Sequence, residues 1–240
     1  MKSYLPGFII IGISLAIGLI GGGYFIGQTM YNAKVAINVA ESKGLAERRV
    51  KADRAEWQVG YSVASGNGDN MQELYNRARK NQEAIIDILK KAGFSDEEMH
   101  IGVINNRYQE FRDENQNLVD EKYILTGSIN IETDKVDLVA DARSTVNELI
   151  AQGYHIVNND PAYRFTSLND IKPDMLSEAS KNARIAANQF AKDAGVKVGR
   201  IKEARQGAFI IRDVGADYGD TRKLHKDVRV VTTITFYLAD

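Results

Sequence analysis

The sequence predicts an α+β domain, three helices packed on a mostly antiparallel sheet, preceded by one N-terminal transmembrane helix. Three observations predict it. Residues 3–33 contain no Asp, Glu, Lys or Arg, whereas the 207 residues after position 33 carry 62 of the chain's 63 charged side chains. Apolar and polar residues alternate with period two in several later segments, the pattern of half-buried strands. Between those segments lie three stretches with apolar residues at helical spacing, each closed by a glycine.

The apolar N-terminus comes first. Pro6 to Ile26 gives 21 almost continuously apolar residues, and about 20 suffice to cross a bilayer core at ~1.5 Å per residue. Residues 1–33 are the expected anchor, residues 6–27 its membrane contact, and 34–240 the folded domain. Glycines at 12, 18, 21, 22, 23 and 27 would weaken a water-soluble helix but are tolerated in a spanning one. A cleaved secretory signal is the rival. Its apolar core usually runs ~7–15 residues, and neither Gly21-x-Gly23 nor Ala33-Lys34-Val35 makes a good processing site. The chain has no cysteine, which excludes a lipoprotein anchor and fits an oxidising compartment without requiring one. Lys2 on one side and Lys34, Lys43, Arg48 and Arg49 on the other do not decide orientation. A domain of this length after an N-terminal apolar segment normally crosses. The expected location is the inner membrane, single-pass, with the C-terminal domain in the periplasm or extracytoplasmic space.

Elements follow in order. Val35, Ile37 and Val39 predict a short strand straight after the membrane. Trp57, Val59, Tyr61 and Val63 share one face of the next strand. The first helix opens at Asp69, with Gln72 in capping-box spacing; it turns Leu74, Ala78, Ile85, Ile88 and Leu89 inward and stops at Gly93. Residues 101–112 read as a strand, as do Tyr123, Leu125, Ile129 and Ile131. The second helix runs from about Asp134 to Ala151, with Val139, Ala142, Val146, Leu149 and Ile150 inward, and ends at Gly153. A strand is expected over 154–167. The third helix begins at Pro173, a residue suited to a first turn, and carries Leu176, Ala179, Ala183, Ala186, Ala187, Phe190 and Ala194 inward before Gly195. Strands at 201–212 and at Val228 to Leu238 close the chain. The order is β-β-α-β-β-α-β-α-β-β, and strand–helix–Gly-aromatic–strand occurs twice, through Gly93-Phe94 and Gly153-Tyr154, which hints at two similar βαβ halves.

Charge excludes one partner class. After the leader the chain has 30 basic and 32 acidic residues, and binding phosphate backbones needs a concentrated basic face. No nucleic acid is expected. Arg48-Arg49-Val50-Lys51 and Arg77-Ala78-Arg79-Lys80 read as solvated faces.

Several stretches taken together resemble a known family. Glu178 to Gly195, with alanines at 179, 183, 186, 187, 191 and 194, leads into Val198-Gly199-Arg200-Ile201. Phe165-Thr166-Ser167-Leu168-Asn169-Asp170 precedes it, Arg49 to Trp57 supplies an opening strand and Val230 to Phe236 a closing one. Their order and spacing are similar to the SIMPL-domain family, over residues 35–240. The resemblance implies an envelope or periplasmic α+β protein, often a ring or other homo-oligomer, with no agreed enzymatic activity, no catalytic residues to carry over and, in some members, a link to oxidative-stress tolerance. Many relatives have a cleaved signal; the long apolar start here departs from that and suggests a tethered variant.

No catalytic constellation emerges from the residues. His100, His155 and His225 lack the three- or four-residue spacing of a helical metal site, and structural or solvent-facing roles are expected. Asp96-Glu97-Glu98 and Asp213, Asp217, Asp220 have the oxygen donors calcium prefers. The second group lacks the order of a calcium loop and reads as a hairpin, while Ser95-x-x-Glu98 reads as a helix cap. Gly66-Asn67-Gly68 before a helix has too few glycines for a phosphate loop, and Asp69 would repel phosphate. No Gly-x-Ser-x-Gly elbow occurs; Trp57 and the tyrosines read as core. The expected protein is non-enzymatic, without cofactor, metal or catalytic residue, tethered and self-associating, with edge strand 35–43 as a pairing surface. Its ligand, if small, is not named by the sequence. Two readings stay open beside it: an enzyme or small-ligand binder that sets His155 or His225 beside carboxylates in a cleft, and an exported binder or hydrolase whose signal is removed.

Overall fold

The computed structural model describes residues 5–35, 38–66 and 69–239. Two compact units divide the chain. One holds residues up to 46, 173–209 and 230 onward; the other holds 47–172 and 210–229. Three elements, β1 (Val39–Lys51), α4 (Leu168–Asp193) and β10 (His225–Ala239), supply residues to both.

The larger unit is built on a six-stranded sheet. Its centre pairs β2 (Arg54–Ala64) with β5 (Leu118–Thr133), antiparallel, from Ala55 opposite Thr133 to Ala64 opposite Ile124. Strands β3 (Met99–Ile101) and β4 (Asn105–Arg112) pair with β5, whereas β6 (His155–Asn158) and β7 (Ala162–Arg164) pair with β2. Each half thus sends its second strands to the other half's central strand. That exchange is the β-α-β-β-α-β arrangement of a ferredoxin-like unit, and it bears out the expected pair of βαβ halves. The two helices, α2 (Met71–Lys91) and α3 (Leu138–Ala151), end alike. Phe94 N–H donates to Leu89 O and Tyr154 N–H to Leu149 O, while Gly93 and Gly153 take φ of 101° and 91°. This is the left-handed stop that glycine reaches without steric cost.

Apolar burial fills this unit. Trp57, Val59, Tyr61, Leu125, Ile129 and Ile131 from the sheet meet Leu74, Ala78, Ile85 and Leu89 from α2 and Val139, Val146 and Leu149 from α3. The alternation of β2 and the 3–4 spacing of α2 place those side chains on the inner faces. A short 3-10 turn, Asp96–Glu98, leads into β3 under a Ser95–Glu98 capping box, as expected.

In the smaller unit β8 (Lys197–Gln206) runs antiparallel to β10 from Ala239 opposite Lys197 to Thr232 opposite Gln206, and β1 is the other neighbour of β10. Helix α4 presents buried Met175, Ala179, Ala183, Ala187 and Ala191, one per four residues. Ala183 and Ala187 pack with Ile234 and Phe236. Gly44 fits so closely that a Cβ there would lie 1.8 Å from Ala179 O and 2.3 Å from Ala183 N. Ser42 donates to Ala183 O at 2.7 Å.

Helix α1 (Leu5–Val35) belongs to the smaller unit and contains an apolar span, Ile9–Ala33, with no buried residue in its window. The expected strand at 35–39 is corrected here. Val35 ends the helix, the strand starts at Val39, and Ile37 lies outside the described residues.

Other differences have local causes. The expected strands 101–112, 154–167 and 201–212 each split in two, the last into β8 and β9 (Ile210–Asp213), so the expected order gains three strands. The breaks fall at Gly102, Pro161 and Gly207, residues that weaken strands or lack a ladder N–H. Helix α2 is capped by Asn70, which accepts from Glu73 N–H at 2.9 Å; Asp69 turns back to Gly66 N–H. Helix α4 begins at Leu168, with Pro173 inside it. The side chain of Asp53 accepts from Thr166 N–H and Ser167 N–H, so the two residues that lead into the helix are held from a distant segment. Phe190 and Ile150, expected inward, are 61% and 50% exposed.

Candidate functional site

Sequence alternation and helix spacing together open one cleft in the larger unit, of about 460 Å³. Its walls are the end of β2 (Ser62, Val63, Ala64), one face of α2 (Arg77, Lys80, Asn81) and the turn from α3 into β6 (Gln152 to His155). The positions 77, 80 and 81 share a helix face because three- and four-residue separations do. Residue His155 is the cross-strand partner of Ser62, so both side chains leave the sheet on the same side, opposite Tyr61 and Val63, which face α2. Arg77 is anchored: its Nη2 donates to Ala64 O at 2.8 Å and to Asp69 Oδ2 at 2.7 Å.

The basic run expected to be a solvated face is divided by this geometry. Ala78 is buried, Arg79 pairs with Glu83 on the outside, and Arg77 and Lys80 line the cleft. Helical spacing from the buried Leu74–Ala78–Ile85 stripe was the signal that places them beside the core edge.

A second cleft, of about 400 Å³, is lined by Arg49, Val214, Lys223, Leu224 and His225. Arg49 pairs with Asp227 at 3.0 Å, and Lys223 donates to Val214 O. Each of these two histidines lies at a cleft that holds basic residues and no carboxylate. His100 sits exposed on β3 opposite Asn130.

The acidic groups are committed elsewhere. Asp213 is 3% exposed and Lys226 fully buried, 2.5 Å apart. Burial would raise the Asp213 carboxyl, but the Lys226 ammonium and the N–H groups of Lys223 and Arg222 outweigh it and hold it below the ordinary range. The pair fastens the 213–225 loop, while Asp217 and Asp220 face solvent. Lys226 shares the parity of Val228, Val230 and Ile234, so alternation alone placed it inward. Glu98 is set by burial, which raises it, and by stronger lowering from Lys135, Ser95 and Thr133, which brings it to about 2. Asp96 pairs with Lys90. Among the described residues no group of three or more His, Cys, Asp or Glu is placed to hold a metal.

Chemically, the first cleft offers donors and positive charge. Neither cleft is lined by a carboxylate, so the expected juxtaposition of histidine with acids is not what surrounds His155 or His225. No side-chain hydrogen bond joins Ser62 to His155 among the described residues, and no carboxylate orients the imidazole, the two features nucleophilic catalysis by serine needs.

One family model, described as SIMPL, a protein of unknown function (DUF541), matches residues 41–225. No curated protein matches the chain.

Proposed function

The chain belongs to the SIMPL family, and from that premise we propose that it is a single-pass, membrane-tethered envelope protein, non-enzymatic and self-associating, whose folded body lies outside the cytoplasm. One observation carries the tethering: a 25-residue apolar span, Ile9–Ala33, unburied and joined to a charged body. Unburied apolar area of that extent is unfavourable in water and favourable in a bilayer.

Open strand edges support the self-association. All eight residues of β4 are exposed, and among the described residues β4 pairs only with β5. β1, from Val39, is the outer strand of its sheet, which moves the expected 35–43 pairing edge a few residues along. An unpaired edge is a template for a second chain. No cofactor, metal or nucleic acid enters this reading.

Intact-mass measurement of protein recovered from cells tests the tether. A chain that retains residues 1–33, with its C-terminal body cleaved by protease added to spheroplasts, supports the proposal. A mature chain starting beyond Ala33, or a body protected until lysis, overturns it. Sedimentation of the detergent-solubilised chain tests assembly, which a strict monomer at high concentration refutes. The rival exported binder or hydrolase predicts the shortened chain.

A further inference from the structure

We propose that the cleft between α2 and the α3–β6 turn binds a small organic phosphate. The inference goes beyond tethering and assembly, and stands whether or not either holds. The lining holds the basic residues Arg77, Lys80 and His155 and no carboxylate. Asn81 and Gln152 add neutral hydrogen-bond donors.

The charge is not cancelled locally. Asp69 offsets Arg77 through the 2.7 Å bond to Nη2, but Lys80 has no partner among the described residues. That same bond, with the one to Ala64 O, fixes the direction of the guanidinium before any ligand arrives. A donor held in place loses less conformational entropy on binding than a free one. An ammonium three residues along the helix and the Gln152 amide on the facing turn offer donors from separate walls, which suits a group with several equivalent anionic oxygens.

Size and wall chemistry refine the class. About 460 Å³ falls in the ~300–1,000 Å³ range of small-ligand sites and exceeds a bare phosphate. Val63, Ala64 and the half-buried Tyr154 supply an apolar side for a short organic remainder. A phosphate ester meets both requirements, and it reaches the cleft either free or as a lipid headgroup.

Calorimetric titration of glycerol 3-phosphate into the full chain in neutral detergent, at fixed ionic strength, tests the site. Saturable binding is expected. Lys80→Gln and Gln152→Ala should each weaken it, Lys80→Gln by about tenfold or more, while Lys91→Gln, on the same helix outside the cleft, stays within about twofold. Thermal unfolding of each variant confirms that it is folded. Amide resonances of residues 77–81 and 152–155 should shift on titration. Absence of saturable heat, or equal affinity in Lys80→Gln and the native chain, overturns the proposal. Repeating the titration in phosphatidylcholine discs with and without phosphatidylglycerol separates the sources. Binding lost only when phosphatidylglycerol is present assigns the headgroup; binding unchanged by it assigns the soluble ester.

Discussion

Helix α2 meets its sheet through Leu74, Ile85 and Leu89, whereas α4 meets its own through alanines at 179, 183, 187 and 191. The first arrangement fills space with branched side chains that reach Trp57, Ile129 and Ile131. The second removes side chains until backbone approaches backbone, with Gly44 against the α4 main chain. Branched cores lose stability when atoms are deleted, through lost transfer energy and the cavity left behind. Backbone-close contacts fail when atoms are added. Charge separates the units as well: the carboxyls held low, Asp53, Glu98, Asp113 and Asp213, all lie in the larger one.

The largest effect is expected where the larger unit buries charge. Lys226→Ala leaves Asp213 enclosed without its cation and should cost about 3–5 kcal/mol. Lys226→Met together with Asp213→Leu should recover much of that in chemical denaturation, because the loss comes from one stranded charge.

Next come paired additions and deletions. Gly44→Ala should destabilise the smaller unit by about 3 kcal/mol, since no flexible side chain is available to yield at 1.8 Å from Ala179 O. Leu89→Ala should cost the larger unit a similar amount, about 2–5 kcal/mol. Hydrogen exchange followed unit by unit distinguishes them. Loss of protection in the same residues for both variants would erase the contrast.

Acid should act on the larger unit first. Glu98 is lower folded than unfolded, so its contribution is complete above the ordinary carboxylate range and is lost as pH falls from about 4.5 toward about 2. At 15% side-chain exposure the shift is worth about 3 kcal/mol at most. Asp53 and Asp213 add losses of the same sign. Trp57, the single tryptophan, is buried in this unit, so its fluorescence should report unfolding while amides of β8 and of residues 230–239 stay protected. Glu98→Gln should flatten the profile. The smallest effect is Asn70→Ala, about 1 kcal/mol for a lost helix cap.

Strands β2 and β10 and helix α2 were legible because one face of each is buried and the period is unbroken. Resemblance carried the family. Legibility failed where a long-range contact intervenes: α4 starts five residues before Pro173, and the two residues that lead into it are held by Asp53, far away in sequence. Phe190 obeys the helical count only loosely, and the strict four-residue alanine stripe wins. The cleft was readable in part. The 77, 80, 81 spacing was visible, but the turn at Gly153 that faces it is a matter of tertiary packing.

An enclosed amine is also a chemically silent one. Acylating reagents that tag exposed lysines will miss Lys226 while its loop stays shut, so the rate at which it becomes labelled reads out how often that corner of the molecule breathes.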